Sequence, residues 1–193
     1  MADMAHMIPH ILRWETGKMK SQKETLESYF LRCKVSGYGN DPDDLGGATM
    51  CGVTIATYRA WRKAHGKQIT TIADLKAITY DEWFALLKQT FWDRWRADEI
   101  VNQSIAEMVV DWMWGSGKYG ITEPQKVLGV VADGIVGKKT LAAINTHPVP
   151  HALWRELREA RLRYYERICR SRPANRKFLR GWKNRVNSLY YND

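Results

Sequence analysis

The stretch Gly37 to Ile55, GYGNDPDDLGGATMCGVTI, constrains the fold more than any other part of the chain. It lies between two segments with helical apolar spacing and cannot itself be helical. Glycine reaches positive φ without a Cβ penalty, and Asp and Asn satisfy turn backbone with their own side chains. The spacing therefore predicts a shaped loop or short hairpin, with Val53-Thr54-Ile55 anchoring its end. Three carboxylates (Asp41, Asp43, Asp44) and two hydroxyls (Thr49, Thr54) lie in it. Such a loop opposite a helix bearing one glutamate suits acid–base chemistry, and the same composition also describes a solvated turn. A calcium loop fits poorly, because Leu45 stands where a third ligand belongs and Gly52 where the closing glutamate belongs.

The remaining segments read as helices. Met4 to about Lys34 is mainly helical, broken near Thr16-Gly17. Ile8, Ile11, Leu12 and Trp14 give an apolar side before Glu15, and Lys20 to Val35 forms a second helix through Leu26, Tyr29, Phe30 and Cys33. Thr54 caps the next helix, which ends at Gly66, and Ile72 to Leu75 forms a short turn. Thr79-x-x-Glu82 and Thr122-x-x-Gln125 match the capping box, the second opening a short helix Glu123 to Leu128. Glu99 to Trp114 is a helix stopped by Gly115-Ser116-Gly117. Ala132 to Gly137 is a turn, followed by helix Lys138 to Asn145, a long helix His151 to about Arg170, and a last helix carrying Phe178, Trp182, Val186 and Leu189. Strand signals are confined to the region of Val53. The fold class is mainly α with a small β loop near residues 37–55.

Composition narrows the function. The net charge of +9 is concentrated at the end of the chain, where residues 151–193 hold 12 Lys and Arg against 4 Asp and Glu. A basic face of this kind attracts polyanions such as an anionic cell envelope. No recognised nucleic-acid-binding motif is present, and no nucleic-acid partner is expected. No apolar run approaches the roughly 20 residues of a membrane span, so no membrane insertion is expected. The first ten residues lack the basic and apolar regions of a secretory signal, which predicts synthesis in the cytoplasm. The cysteines Cys33, Cys51 and Cys169 form no paired motif, and neither C-x-x-C nor H-E-x-x-H occurs, so neither metal nor cofactor is expected.

The run NDPDDLGGATMCGVTIATY resembles the signature of the bacterial and phage N-acetylmuramidases of glycoside hydrolase family 108, some of them labelled secretion activator proteins. Those usually read E-G-G-Y-x-N-x-P-x-D-P-G-G-A-T-x-x-G-I-T. Gly37-Tyr38, Asn40, Pro42, Asp44, Gly46-Gly47-Ala48-Thr49, Gly52 and Thr54 match it. The likeness continues through QKVLGVVADGIVGKKTLAAIN, which is similar to the family's peptidoglycan-binding-like half, and ends at FLRGWKNRV. It implies a lysozyme-like catalytic half over 1–97 and a helical peptidoglycan-binding-like half over 98–193. One departure stands out. Val35 holds the place of the family glutamate, while ILRWETG, Ile11 to Gly17, looks like the usual I-L-x-x-E-G-G. Residues from about Lys18 to Ser36 would then be an insertion, with Glu15 as the family glutamate.

The resemblance implies hydrolysis of the β-1,4 bond between N-acetylmuramic acid and N-acetylglucosamine in peptidoglycan glycan strands. This chemistry needs one carboxyl to protonate the leaving oxygen while positive charge grows on the sugar. Glu15 is the expected general acid. Asp44 is the second carboxylate, as base for water or as electrostatic support, and Thr49 positions water. Tyr38, Asn40, Gly47 and Thr54 are expected to contact substrate. Of the nine tryptophans, Trp61, Trp83, Trp112, Trp154 and Trp182 sit on apolar stripes, whereas Trp92, Trp95 and Trp114 are candidates for a cleft wall. Asp111, amid apolar residues, is expected to be structural, capping a neighbouring helix or loop. The competing reading is a non-catalytic wall-binding or secretion-related protein whose lysozyme-like site has been dismantled by the insertion.

Overall fold

A computed structural model describes residues 1–40, 47–68 and 70–192. Its helices are α1 (Ile8–Thr16), α2 (Leu26–Lys34), α3 (Ile55–Ala64), α4 (Ile72–Ala77), α5 (Tyr80–Leu87), α6 (Gln103–Ser116), α7 (Tyr119–Val127), α8 (Lys138–Asn145), α9 (Pro150–Ser171) and α10 (Arg176–Asn187). The strands β1 (Tyr38–Gly39), β2 (Thr49–Met50) and β3 (Val53–Thr54) form one antiparallel sheet in chain order. This is the mainly α architecture with a small β loop that the sequence predicts. The chain divides into two compact units, Ala5–Thr90 and Met1–Met4 with Phe91–Asp193.

In the first unit, local capping sets the helix starts. Thr25, Thr54, Thr71 and Thr79 each accept a backbone N–H three residues on, opening α2 to α5. The complete capping box is at Thr71 and Asp74, where each side chain accepts the other's N–H. At Thr79 only half of the expected box forms. Glu82 gives its N–H to Thr79, but its carboxylate accepts the Tyr58 hydroxyl at 2.7 Å. The core of this unit includes Ile8, Ile11, Leu12, Tyr29, Phe30, Tyr58, Trp83, Leu86 and Leu87.

In the second unit, α6, α7, α9 and α10 pack together, with α9 touching the other three. The first residues of the chain belong here because Ala2 N–H donates to the Ile100 carbonyl and Asp3 N–H to Gln103 Oε1. Asn102 caps α6, which starts four residues later than expected after a 3-10 turn at Ala97–Glu99 and runs on to Ser116. The expected box at Thr122 is absent. α7 already begins at Tyr119, so Thr122 lies inside it, and the buried Gln125 side chain turns away to bond Asp133, Ile135 and Thr140.

Asp111 is fully buried and is structural, though it is no cap. Arg161, also fully buried, reaches its Oδ2 at 2.8 Å, and Arg185 reaches its Oδ1 at 2.7 Å. One carboxylate thus ties α6 to α9 and α10. Arg161 also donates to the Tyr165 hydroxyl and to the Asp111 carbonyl. Trp112, Tyr164, Tyr165 and Val186 form an apolar cluster with Leu179 and Trp182 packed on it. Removing one member of a buried ion group strands the others' charge, at a cost of about 3–5 kcal/mol. Asp111→Ala should therefore lower the unfolding free energy by about that amount in urea titrations followed by tryptophan fluorescence. Apolar replacement of Asp111, Arg161 and Arg185 together should cost less than the single change.

Candidate functional site

α1 carries its buried stripe at Ile8, Ile11 and Leu12, and the next position of that stripe is Glu15. The helix thus aims a carboxylate along its core-facing side in its last turn, where Glu15 is half-buried. Gly17, at φ +71°, closes the helix by donating its N–H to the Arg13 carbonyl at 2.8 Å. Thr16 fixes the same turn to α2, its hydroxyl lying 2.6 Å from the Leu12 carbonyl and 3.3 Å from Cys33 Sγ.

The β-sheet meets this junction through Gly37 and Cys51. Cys51 N–H donates to the Gly37 carbonyl at 2.8 Å, and a Cβ on Gly37 would stand 2.6 Å from Cys51 Sγ and 3.0 Å from the Cys33 carbonyl. Only glycine permits that approach. Tyr38 pairs with Met50 and Gly39 with Thr49; Thr49 pairs in turn with Thr54 and Met50 with Val53. Cys51 and Gly52 make the two-residue turn between β2 and β3, at φ +48° and +79°, the positive values that a primed hairpin turn demands. Trp83 steadies the turn by donating its indole N–H to the Cys51 carbonyl at 3.1 Å. Burial pushes the Cys51 thiol up to about 12, helped by the neighbouring Cys33 and Glu15.

The structure brings several of the expected site residues onto this sheet. Tyr38 is half-buried with the Lys76 ammonium 4.0 Å from its ring centre. Asn40 is exposed immediately after β1, and Gly47, at φ +63°, leads into β2. Thr49, in the middle strand, directs its hydroxyl to the Gly39 carbonyl at 3.4 Å. Thr54 accepts the Thr57 N–H at 3.1 Å and shares a hydrogen bond with the Thr57 hydroxyl, so it is engaged as a helix cap. Asp44, with Asp41 and Asp43, lies outside the described residues.

Trp92 and Trp114 belong to the second unit. Trp92 is fully buried and donates its indole N–H to Asp98 at 2.6 Å, and Trp95 is fully buried too, so both rings serve the core rather than a surface wall. Trp114 is half-buried, with its ring centre 4.8 Å from that of Phe91. Among the described residues, no three His, Cys, Asp or Glu side chains could hold a metal ion. No helix there is long and apolar enough to cross a membrane.

The segment between Glu15 and α2 is tied down instead of helical. Arg32 grips Glu24 with two hydrogen bonds of 2.8 and 2.7 Å and donates to the Met19 carbonyl. Lys18 reaches the Arg32 carbonyl, and the Tyr29 hydroxyl donates to the Lys18 carbonyl. The apolar spacing alone predicted a helix from Lys20. Thr25, which caps α2, is the start signal that sets the helix at Leu26, and Cys51-Gly52 between apolar residues is the hairpin signal.

Residues 31–117 match the glycosyl hydrolase 108 family model, and residues 119–187 match a predicted peptidoglycan domain. The chain carries a glycosyl hydrolase 108 domain. Its matched span holds the whole sheet but begins after Glu15, and the peptidoglycan domain covers α7 to α10. A solved structure of Brucella abortus SagA is 27% identical, covers 96% of this chain and 90% of its own, and has a TM-score of 0.74. No curated protein matches significantly. The two domains make this a glycosyl hydrolase-type chain directed at peptidoglycan.

Gly37→Ala should destabilise the glycosyl hydrolase 108 domain by about 1–3 kcal/mol through overpacking, and adding Cys51→Ala should recover part of it. Thermal unfolding of the single and double variants measures the coupling. A second expectation concerns acid. The Arg32 guanidinium holds the Glu24 carboxyl down to about 2, against some opposing burial. A carboxyl lowered on folding stabilises above its unfolded value of 4.5 and loses that contribution as pH falls towards 2. The 18–25 segment should thus stay protected in hydrogen exchange at pH 5, corrected for intrinsic rates, and loosen near pH 2. Glu24→Gln should loosen it at both.

Proposed function

We propose that the chain is an N-acetylmuramidase that cleaves the β-1,4 bond between N-acetylmuramic acid and N-acetylglucosamine, with Glu15 as general acid. The observation that carries this reading is the placement of Glu15. It ends the buried stripe of α1, and the adjoining Thr16 hydroxyl reaches Cys33 at the junction with the sheet whose residues match the glycosyl hydrolase 108 model. A carboxyl half-buried beside an apolar junction suits protonation of a leaving glycosidic oxygen. Thr49, two residues before the turn, would orient water or a sugar hydroxyl. Asp44 would be the second carboxylate. Tyr38 on the sheet, with Asn40 and Gly47 flanking its strands, would contact the glycan.

The start of the family match at Leu31 favours one other reading, a wall-binding protein with no hydrolytic centre. Muropeptide release from purified peptidoglycan separates the two. Wild type should generate new N-acetylmuramic acid reducing ends, and Glu15→Gln should lower the rate by about 10²–10⁴-fold with its fold retained. Full activity in that variant would remove Glu15 from the mechanism. Wall binding without release by wild type would establish the binding protein.

A further inference from the structure

The second unit holds a cleft of about 530 Å³ between the end of α7 and the start of α8. Its frame is rigid. The Gln125 side chain, 1% exposed, donates to Asp133 Oδ1 and to the Ile135 carbonyl, both at 3.0 Å, and accepts the Gly134 N–H at 2.9 Å. Ile135 N–H donates to the same Asp133 oxygen at 2.8 Å. A turn locked in this way needs little ordering when a ligand arrives.

The lining is distinctive. Val131 and Ile135 are 77% and 70% exposed, which leaves branched aliphatic surface open to water. Lys138 and Lys139 also line the cleft and make no ion pair among the described residues. Asp133 supplies one carboxylate, held below its ordinary range by the Ile135 N–H and the Gln125 amide. No residue of the lining is aromatic. Sugar rings are gripped by aromatic faces, so this is a poor glycan site. Two ammonium groups, one carboxylate and small aliphatic walls instead complement a short peptide with methyl side chains and more carboxylates than amines.

We propose that this cleft binds the peptide stem of peptidoglycan, separately from any site that holds the glycan. The proposal rests on the reading of residues 119–187 as a peptidoglycan-directed domain. Stem carboxylates meet Lys138 and Lys139, a stem amine meets Asp133, and alanine methyl groups lie on Val131 and Ile135. The attraction is between exposed charges and falls with salt.

The test uses the full chain and the tetrapeptide L-Ala–D-Glu–diaminopimelate–D-Ala at low ionic strength. The peptide should shift the amide resonances of Val131, Ile135 and Lys139. K138E/K139E, with unfolding behaviour like wild type, should bind it at least tenfold more weakly. A peptide-free N-acetylglucosamine tetramer should leave those resonances in place. Equal peptide binding by the double variant, or shifts there from the sugar instead, overturns the assignment. Co-sedimentation with purified sacculi separates the two levels of failure. Sedimentation of wild type with the peptide silent overturns the stem site alone. If the chain neither sediments nor binds peptide, the peptidoglycan reading falls with it.

Discussion

The candidate site hangs on one close contact, the Cys51 sulfur seated against the bare Cα of Gly37. The hydrogen bond from Cys51 N–H to the Gly37 carbonyl brings the β2–β3 turn against the end of α2, whose Cys33 the Thr16 hydroxyl of α1 in turn reaches. Three segments are thereby joined without a disulfide. The position of Glu15 relative to Thr49 follows from this junction, because the β2–β3 turn is only two residues long and Trp83 holds it from behind. Shifting the turn by a side chain's width would carry the whole sheet with it.

The second unit solves a different problem with charge. Two of the four packed helices, α9 and α10, are rich in arginine, and a lone buried guanidinium is too costly to leave unpaired. Asp111 meets that need for Arg161 and Arg185 together, so the basic character of the last 43 residues is partly turned inward rather than spent on the surface. Glu123 does similar work at the edge. Burial opposes its ionisation, but Lys126 and Arg167 outweigh this and keep the carboxyl below its ordinary range.

What the sequence revealed followed from locality. Helix α8 was readable to the residue because Gly137 and Pro148 bracket it, and the hairpin region was readable because glycine and aspartate exclude helix. Thr122-x-x-Gln125 misled because a four-residue pattern cannot reveal that the glutamine amide is taken by a turn 8 to 15 residues further on. Asp111 was legible as buried, but its partners lie 50 and 74 residues away. Trp92 lies at the end of a π-helical turn, Lys88–Trp92, whose wider winding shifts the phase of the apolar stripe and sends the ring inward. The likeness of the Ile11 to Gly17 motif drew attention to Glu15. Its place on the buried face of α1 was written in the spacing from Ile8, but the approach of the Cys51 turn was not.

The three cysteines end up buried and unpaired, two of them within the Gly37 junction. Thiolate is the form that oxidants and disulfides attack, and at Cys51 burial, helped by the neighbouring Cys33 and Glu15, all but abolishes it near neutral pH. A fold assembled around such sulfur atoms neither waits for an oxidase to complete it nor presents them to an oxidising medium afterwards. For a chain that carries a peptidoglycan domain, this amounts to indifference to redox surroundings, reached through packing alone.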